Sequence, residues 1–224
     1  MIRVDEPDEP EGFDGHVRQP GRAWLAEREG RPIRYPRTFW NEWRPCRERL
    51  EQAFGYRCGY AACWIPGGQV EHFESWKRCD ADDRRHMAYE WSNYRWILPQ
   101  LNGRKGTQEL LDPYEVVDEW FELDLVSLNL DLTAQVPEDK RELAERTMNT
   151  LGLRRDPLLL KLREEALEMF AEGTSMAYLE RFSPLVARAL KRLFDAALES
   201  LSPAHRHIRA YLQRRRELAS GGAG

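Results

Sequence analysis

The stretch QVEHFESWKRCDADDRRHMAYEWSNYRWILPQLNGRKGT, residues 69–107, decides how this chain is interpreted. Three polar residues stand out in it, His72, Asn93 and Asn102, and Glu71 directly precedes the histidine. An imidazole accepts protons near neutral pH, and carboxylate and amide oxygens are ligands that Mg²⁺ binds. Residues of these types in this order predict a site that holds one divalent cation and activates one water molecule.

Two short runs around this stretch indicate strands. Gly67 and Gly68 separate them, as in a β-hairpin turn, which predicts strands over 58–65 and 69–73. His72 is then expected near the end of the second strand.

The rest of the stretch predicts a loop and a helix. The highly charged residues 74–88 are typical of a surface loop, and a helix is expected to begin around Leu98 or Asn102 and to carry Lys105. A strand pair followed by a helix, with polar residues between them, is the expected arrangement of the site.

The chain before the site contains an arm and a helix. Five prolines among charged residues predict an extended N-terminal arm over 1–37. Apolar residues then recur at helical spacing from Thr38 to Phe54. We expect Pro45 to kink or restart this helix and Gly55 to end it.

The chain after the site is mostly helical by pattern. A turn at 111–114 precedes a second small hairpin, with strands predicted over 120–125 and 127–132. Amphipathic helices are predicted over 137–151, 158–170, 176–201 and 204–218. We expect Pro184 to break the third of these helices. The predicted domains are the arm 1–37, a core 38–113, a hairpin with a helical extension 114–219, and a flexible tail 220–224.

Composition limits the class of protein. The chain has 224 residues and a net charge of −4, and it contains no apolar run of about eighteen residues. An acidic N-terminus without an apolar core is not a signal peptide, and four cysteines form no dense disulfide framework. We therefore expect a cytoplasmic protein that does not enter membranes. Arginine clusters at 31–57 and 201–218 are equally typical of solvated helix faces and of phosphate-binding surfaces.

Five signatures in order carry a family resemblance: VEHF (70–73), AYEWSNYR (88–95), LNGRKG (101–106), LLDPY (110–114) and TMNTLGL (147–153). On these residues the chain resembles the HNH endonucleases of the ββα-metal group. It is most similar to small bacterial HNH proteins with a helical C-terminal extension, such as the nuclease components of Septu-type and retron-type anti-phage systems. The resemblance implies an α+β fold with a ββα-metal core.

The resemblance also implies the roles of single residues. His72 would be the general base, Asn93 would hold the histidine loop in place, and Glu71 and Asn102 would hold Mg²⁺ or Mn²⁺. Arg104 or Lys105 would bind a neighbouring phosphate. The implied substrate is nucleic acid, most readily DNA. By the same resemblance, the implied partner is an ATPase or another protein of a defence system. The chain has no P-loop of its own, so any ATP-driven activation would come from another protein.

The chain departs from its zinc-bearing relatives at the expected zinc ligands. The two CxxC pairs of those relatives align with residues 58–61 and 98–101, where only Cys58 remains. No structural zinc is expected, since such a site needs four ligands. Leu98 and Leu101, with Trp64 or Trp96, are expected to fill the space as an apolar plug.

Other functions remain open at this point. A chain that keeps the fold but has lost activity would be a nucleic-acid-binding or scaffold subunit. The hypothesis of an RNA-binding toxin has less support, because the sequence shows no set of aromatic residues typical of a base-stacking surface. Asn93 and Asn102 are also typical turn and helix-cap residues. The remaining histidines are expected to be structural or solvated, and Tyr94, Trp91 and Trp96 are expected in the core.

Overall fold

The computed structural model describes the backbone of residues 1–221 and the side chains of residues 1–219. It confirms the α+β class, because helices are combined with two small antiparallel sheets. The chain divides into two compact units. The site unit comprises Arg3–Tyr60 and Ile65–Val116, and the helical unit comprises Met1–Ile2, Ala61–Trp64 and the chain from Val117 onward. No described helix combines the length and the apolar character that crossing a bilayer requires.

The site unit is built on one strand pair with helices around it. Its elements in chain order are a π-helical turn Asp14–Arg18, α1 Gln19–Ala26, α2 Phe39–Glu42, α3 Arg44–Ala53, β1 Gln69–His72, α4 Trp76–Ala81, β2 Tyr94–Ile97 and α5 Pro99–Lys105. The helix restarts at α3 with Pro45 in its first turn, and Gly55 follows its end with a φ of +59°, both as predicted.

The predicted pairing of strands is wrong. Residues 58–65 form turns instead of a strand, and β1 pairs in antiparallel fashion with the distant β2. Ala62 has a φ of +52°, which a continuous strand does not accommodate. The glycine at position 68 is explained by close packing and not by a hairpin turn. A Cβ there would lie 2.4 Å from the ring of Trp96, so the glycine lets that ring pack against the backbone.

The predicted extended arm over 1–37 is also wrong, because α1 and the turn before it are helical. Pro20 lies in the first turn of α1, where a missing N–H is tolerated. A Cβ on Gly21 would lie 2.2 Å from the ring of Tyr89, so α1 packs directly on that ring. Phe13 is fully buried, with its ring edge-on to Trp91 at 5.5 Å. This part of the chain therefore belongs to the core of the site unit.

The surface loop predicted at 74–88 contains regular structure. It holds α4 and a 3₁₀ turn at Arg85–Tyr89. Trp76 and Cys79 are buried on the inner side of α4. The sequence does not show α4 as an amphipathic helix, because only two of its six residues are buried and most of the others are charged.

The helical unit follows the predicted order closely. Its elements are β3 Phe121–Leu123, β4 Leu130–Leu132, α6 Glu138–Leu151, α7 Pro157–Ala171, α8 Met176–Phe182, α9 Pro184–Asp195 and α10 Pro203–Gly221. The hairpin is present but shorter than predicted, Pro184 begins a new helix, and Gly152 ends α6 in the left-handed conformation. α10 extends to Gly221, into the predicted tail 220–224, and the rest of that tail lies outside the described residues.

Candidate active site

β1 and β2 place the predicted site residues on two faces of one strand pair. His72 ends β1 opposite Tyr94, and Glu71 lies opposite Arg95. Successive strand residues point to opposite faces, and the contacts agree. The carboxylate of Glu71 meets Tyr60, whereas the ring of His72 lies against aromatic side chains on the other face. No contact joins the two side chains.

The imidazole of His72 is held by its surroundings in one orientation. Its Nε2 lies 3.0 Å from the carbonyl oxygen of Ala88, and the hydroxyl of Tyr94 donates to the same oxygen at 2.7 Å. The rings of Trp40 and Tyr94 stand edge-on to it, with centroids at 4.6 and 5.3 Å. A carbonyl only accepts hydrogen bonds, so Nε2 carries the proton in the neutral ring. Nδ1 is then left with a lone pair.

Burial also fixes the charge of this imidazole. It lowers the pKa of His72 to about 4, against the opposing effect of the Ala88 carbonyl. The side chain is therefore neutral at physiological pH and able to accept a proton at Nδ1. It is a weaker base than a free histidine. An approaching phosphate anion favours the imidazolium and raises this pKa.

Asn93 closes the loop that joins β1 to β2. Its side chain is buried, and its Oδ1 accepts a hydrogen bond from the backbone N–H of Glu74 at 2.6 Å. Its Nδ2 donates to the carbonyls of Glu74 at 3.1 Å and Met87 at 3.0 Å. Met87 directly precedes Ala88, so Asn93 fixes the backbone that supplies the carbonyl bound to His72. Asn93 is thus placed as a positioning residue.

Glu71 and Lys105 form a buried ion pair. Each side chain is 1% exposed, and the Lys105 ammonium bonds the Glu71 carboxylate directly. The ammonium also donates to the carbonyl oxygens of His72 at 2.6 Å and Phe73 at 2.7 Å. Tyr60 donates to the other Glu71 oxygen at 3.2 Å. Burial lowers the pKa of Lys105 to about 7, and the Asp112 carboxylate opposes that shift.

This ion pair bears on two predicted roles. The Lys105 ammonium is enclosed and its three donors have protein partners, so it is not exposed to a phosphate in this structure. The Glu71 carboxylate is bonded to that ammonium, so its role as a metal ligand stays a prediction and requires the ammonium to leave. Arg104 lies on the exposed side of α5, which leaves its predicted role as a prediction.

The carboxylate and amide oxygens of the predicted metal ligands suit a hard cation, but the ammonium of Lys105 already occupies the position at Glu71. Glu71 supplies a carboxylate, and Asn102 supplies an amide three residues before Lys105 on α5, so the two α5 residues lie on neighbouring helix positions. A divalent cation about 4 Å from the ammonium would be repelled by roughly 8 kcal/mol at an effective dielectric constant near 20. A metal ion therefore binds Glu71 only in place of the ammonium of Lys105. Among the described residues, no three His, Cys, Asp or Glu side chains gather in a metal-binding group.

A second buried ion pair was missed from the sequence. Arg95, beside Glu71 across the strands, forms a bidentate pair with Asp112, with Nε 2.7 Å from Oδ1. Its guanidinium stacks 3.7 Å from the ring centroid of Tyr114. Arg95 belongs to the signature AYEWSNYR and Asp112 to the signature LLDPY. The signatures draw attention to both residues, but their spacing in the sequence does not show that the two side chains meet.

The apolar plug predicted in place of the zinc ligands is confirmed in part. Leu98, Leu101 and Trp96 are buried, and the backbone N–H of Leu98 donates to the sulfur of Cys58 at 3.4 Å. Trp64 does not join them, because its side chain is 40% exposed and stacks on Phe182 in the helical unit. The four cysteines, all within the described residues, form no disulfide bonds and are buried, as expected of small apolar side chains. Tyr94, Trp91 and Trp96 are core residues, also as predicted.

Comparison of the chain with known protein families and with curated proteins gave no match.

Proposed function

We propose that this chain is a metal-dependent endonuclease of the HNH type that hydrolyses phosphodiester bonds of nucleic acid, with DNA as the expected substrate. The observation that carries the proposal is the orientation of His72. Its Nε2 is bound to the Ala88 carbonyl, and its neutral ring keeps Nδ1 as a proton acceptor. The order β1, β2, α5 supports a ββα-metal core.

In this proposal, each side chain has a limited task. His72 accepts a proton from water at Nδ1, and Ala88 stabilises the resulting imidazolium through Nε2–H. Asn93 keeps the loop closed so that this carbonyl stays in place. A divalent cation held by Glu71 and Asn102 would supply positive charge at the scissile phosphate. This role requires that Lys105 leave Glu71 and that the Glu71 carboxylate reach the face of the strand pair that carries the His72 ring. By resemblance, the chain acts as the effector of an anti-phage complex with an ATPase or another defence protein, inside the cytoplasm.

One observation favours a second function. Lys105 already neutralises Glu71, and a permanent ion pair at that position leaves no room for a metal ion. The chain would then be a catalytically inactive HNH-like subunit that binds nucleic acid or supports a larger complex. The two functions differ in one measurable property, which is cleavage that depends on a divalent cation.

The test is cleavage of supercoiled plasmid, linear duplex, single-stranded DNA and RNA with Mg²⁺, Mn²⁺ or chelator. We expect cleavage only with a divalent cation, and a loss of about 10²–10⁴-fold in rate for His72→Ala. The matched control is His86→Ala, which removes an exposed imidazole from the same loop. If His72→Ala cleaves as fast as the parent, His72 is not the base. If the parent cleaves nothing, the inactive subunit is favoured.

A further inference from the structure

The surroundings of the Lys105 ammonium have the composition of a cation site. Its three N–H groups meet three oxygens, from the Glu71 carboxylate and the carbonyls of His72 and Phe73. The nitrogen also lies 5.6 Å from the ring centroid of Phe73. A carboxylate and backbone carbonyls are the ligands that hard metal ions use. An ammonium is a compact cation that the chain itself can bring to such a set of oxygens.

The neighbouring ion pair leaves the charge of Glu71 to Lys105. Arg95 and Asp112 form a complete bidentate pair of their own on the same face, so neither of them compensates Glu71. The Lys105 ammonium lies at Glu71 and at the end of β1, where the polar residues of the candidate site begin. Lys105 is the last residue of α5, and Gly106 follows with a φ of +55° into an exposed segment.

We propose that the ammonium of Lys105 occupies the cation site at Glu71 and excludes divalent ions from it in the resting protein. This inference rests on the proposed function for the role of Glu71, and it adds how that site is regulated. The ammonium and the metal ion compete for the same carboxylate. Events that move the end of α5, such as the docking of nucleic acid beside Arg104, would then release the site.

The test measures binding of Mn²⁺ to the full chain by electron paramagnetic resonance of the free ion, at one pH and without nucleic acid. We expect Lys105→Met to bind Mn²⁺ at least about ten times more tightly than the parent. Lys77→Met is the matched control, because Lys77 is an exposed lysine on α4. Its affinity should equal that of the parent. The double variant Glu71→Gln with Lys105→Met lacks the carboxylate and should lose the gain.

The stability of the variants is part of the test, because Lys105→Met leaves Glu71 buried without a partner. A melting temperature that rises with Mn²⁺ in Lys105→Met or Lys105→Gln, but not in the double variant, supports the inference. Equal affinity in Lys105→Met and the parent overturns it, and so does an unfolded Lys105→Met that millimolar Mn²⁺ does not restore. A gain in affinity without cleavage of DNA by any variant upholds this inference and overturns the proposed function. Cleavage by the parent without any gain overturns this inference alone.

Discussion

His72 is neutral because the protein surrounds it with rings and gives it only one polar partner. The unfolded chain takes up a proton on this residue near its ordinary pKa of 6.5, whereas the folded protein does so only near 4. The folded-state pKa is the lower one, so the unfolded state binds more protons between these values. The stabilisation from the neutral ring is complete above pH 6.5 and is lost as the pH falls towards 4.

This linkage predicts a pH dependence of stability. We expect the free energy of unfolding of the parent, relative to His72→Gln, to fall by roughly 2–3 kcal/mol between pH 7 and pH 4. Urea unfolding of both proteins across this range measures the difference. A difference that stays constant with pH would show that the imidazole titrates normally in the folded protein.

Asn93 allows a second prediction at the residue scale. Asn93→Asp keeps the shape and the bond from the Glu74 N–H, but it removes both donors to the carbonyls of Glu74 and Met87. Two buried acceptors then face a carboxylate, so we expect a loss of about 2–4 kcal/mol in the free energy of unfolding. Chemical denaturation measures the loss. Ser92→Asp, next to it and exposed, is the control and should change stability by less than about 0.5 kcal/mol. Equal effects at both positions would remove the positioning role of Asn93.

The sequence indicated which residues belong to the candidate site better than it indicated the burial and the contacts of each residue. The order of His72, Asn93 and Asn102 in the sequence is what marks them as candidate site residues. The resemblance implied a phosphate contact for Arg104 or Lys105, and such a contact requires an exposed side chain. Sequence gives the charge of a side chain but not its burial, and the burial of Lys105 depends on a partner 34 residues away, Glu71.

At the scale of elements, local signals were reliable and distant pairing was not. The helices of the helical unit follow apolar spacing, and Gly152 and Pro184 mark their ends as expected. The partner of β1 was missed because residues 58–65 are close in sequence and apolar, whereas β2 follows a long loop. Antiparallel pairing is decided by packing on both faces, and a short apolar run does not reveal its partner.

The buried pair of Arg95 and Asp112 tests how the strand pair is held to the segment after α5. Arg95→Met leaves the Asp112 carboxylate buried and unpaired, which we expect to cost about 3–5 kcal/mol of unfolding free energy. The double variant with Asp112→Leu should be less destabilised than the sum of the two single variants by about 1–3 kcal/mol. Urea denaturation of the four proteins gives this coupling energy. Additive losses would show that the two side chains do not interact.

An exposed pair provides the reference for that cycle. Arg44 and Glu48 are one helical turn apart on α3, and the side chain of Arg44 is 86% exposed. The same cycle there should give a coupling below about 1 kcal/mol, because water screens exposed charges.

At the scale of the whole molecule, all of the candidate site lies in one unit. That unit takes Trp40 and Tyr60 from its first stretch of chain and the strand pair from its second, Ile65–Val116. The chain enters the helical unit between these stretches, at Ala61–Trp64. The sequence indicated a core and a helical extension but not this exchange, because the four residues involved form no regular element.

The most direct measurement is the rate at which the intact chain cleaves duplex DNA in excess Mn²⁺ under single-turnover conditions, with parent and His72→Ala proteins side by side. We expect the parent to cleave the duplex and chelator to abolish that cleavage. We expect His72→Ala to retain its fold and to cleave at least about two orders of magnitude more slowly. Equal rates in the two proteins, or cleavage that persists in chelator, would rule out metal-dependent cleavage with His72 as the base.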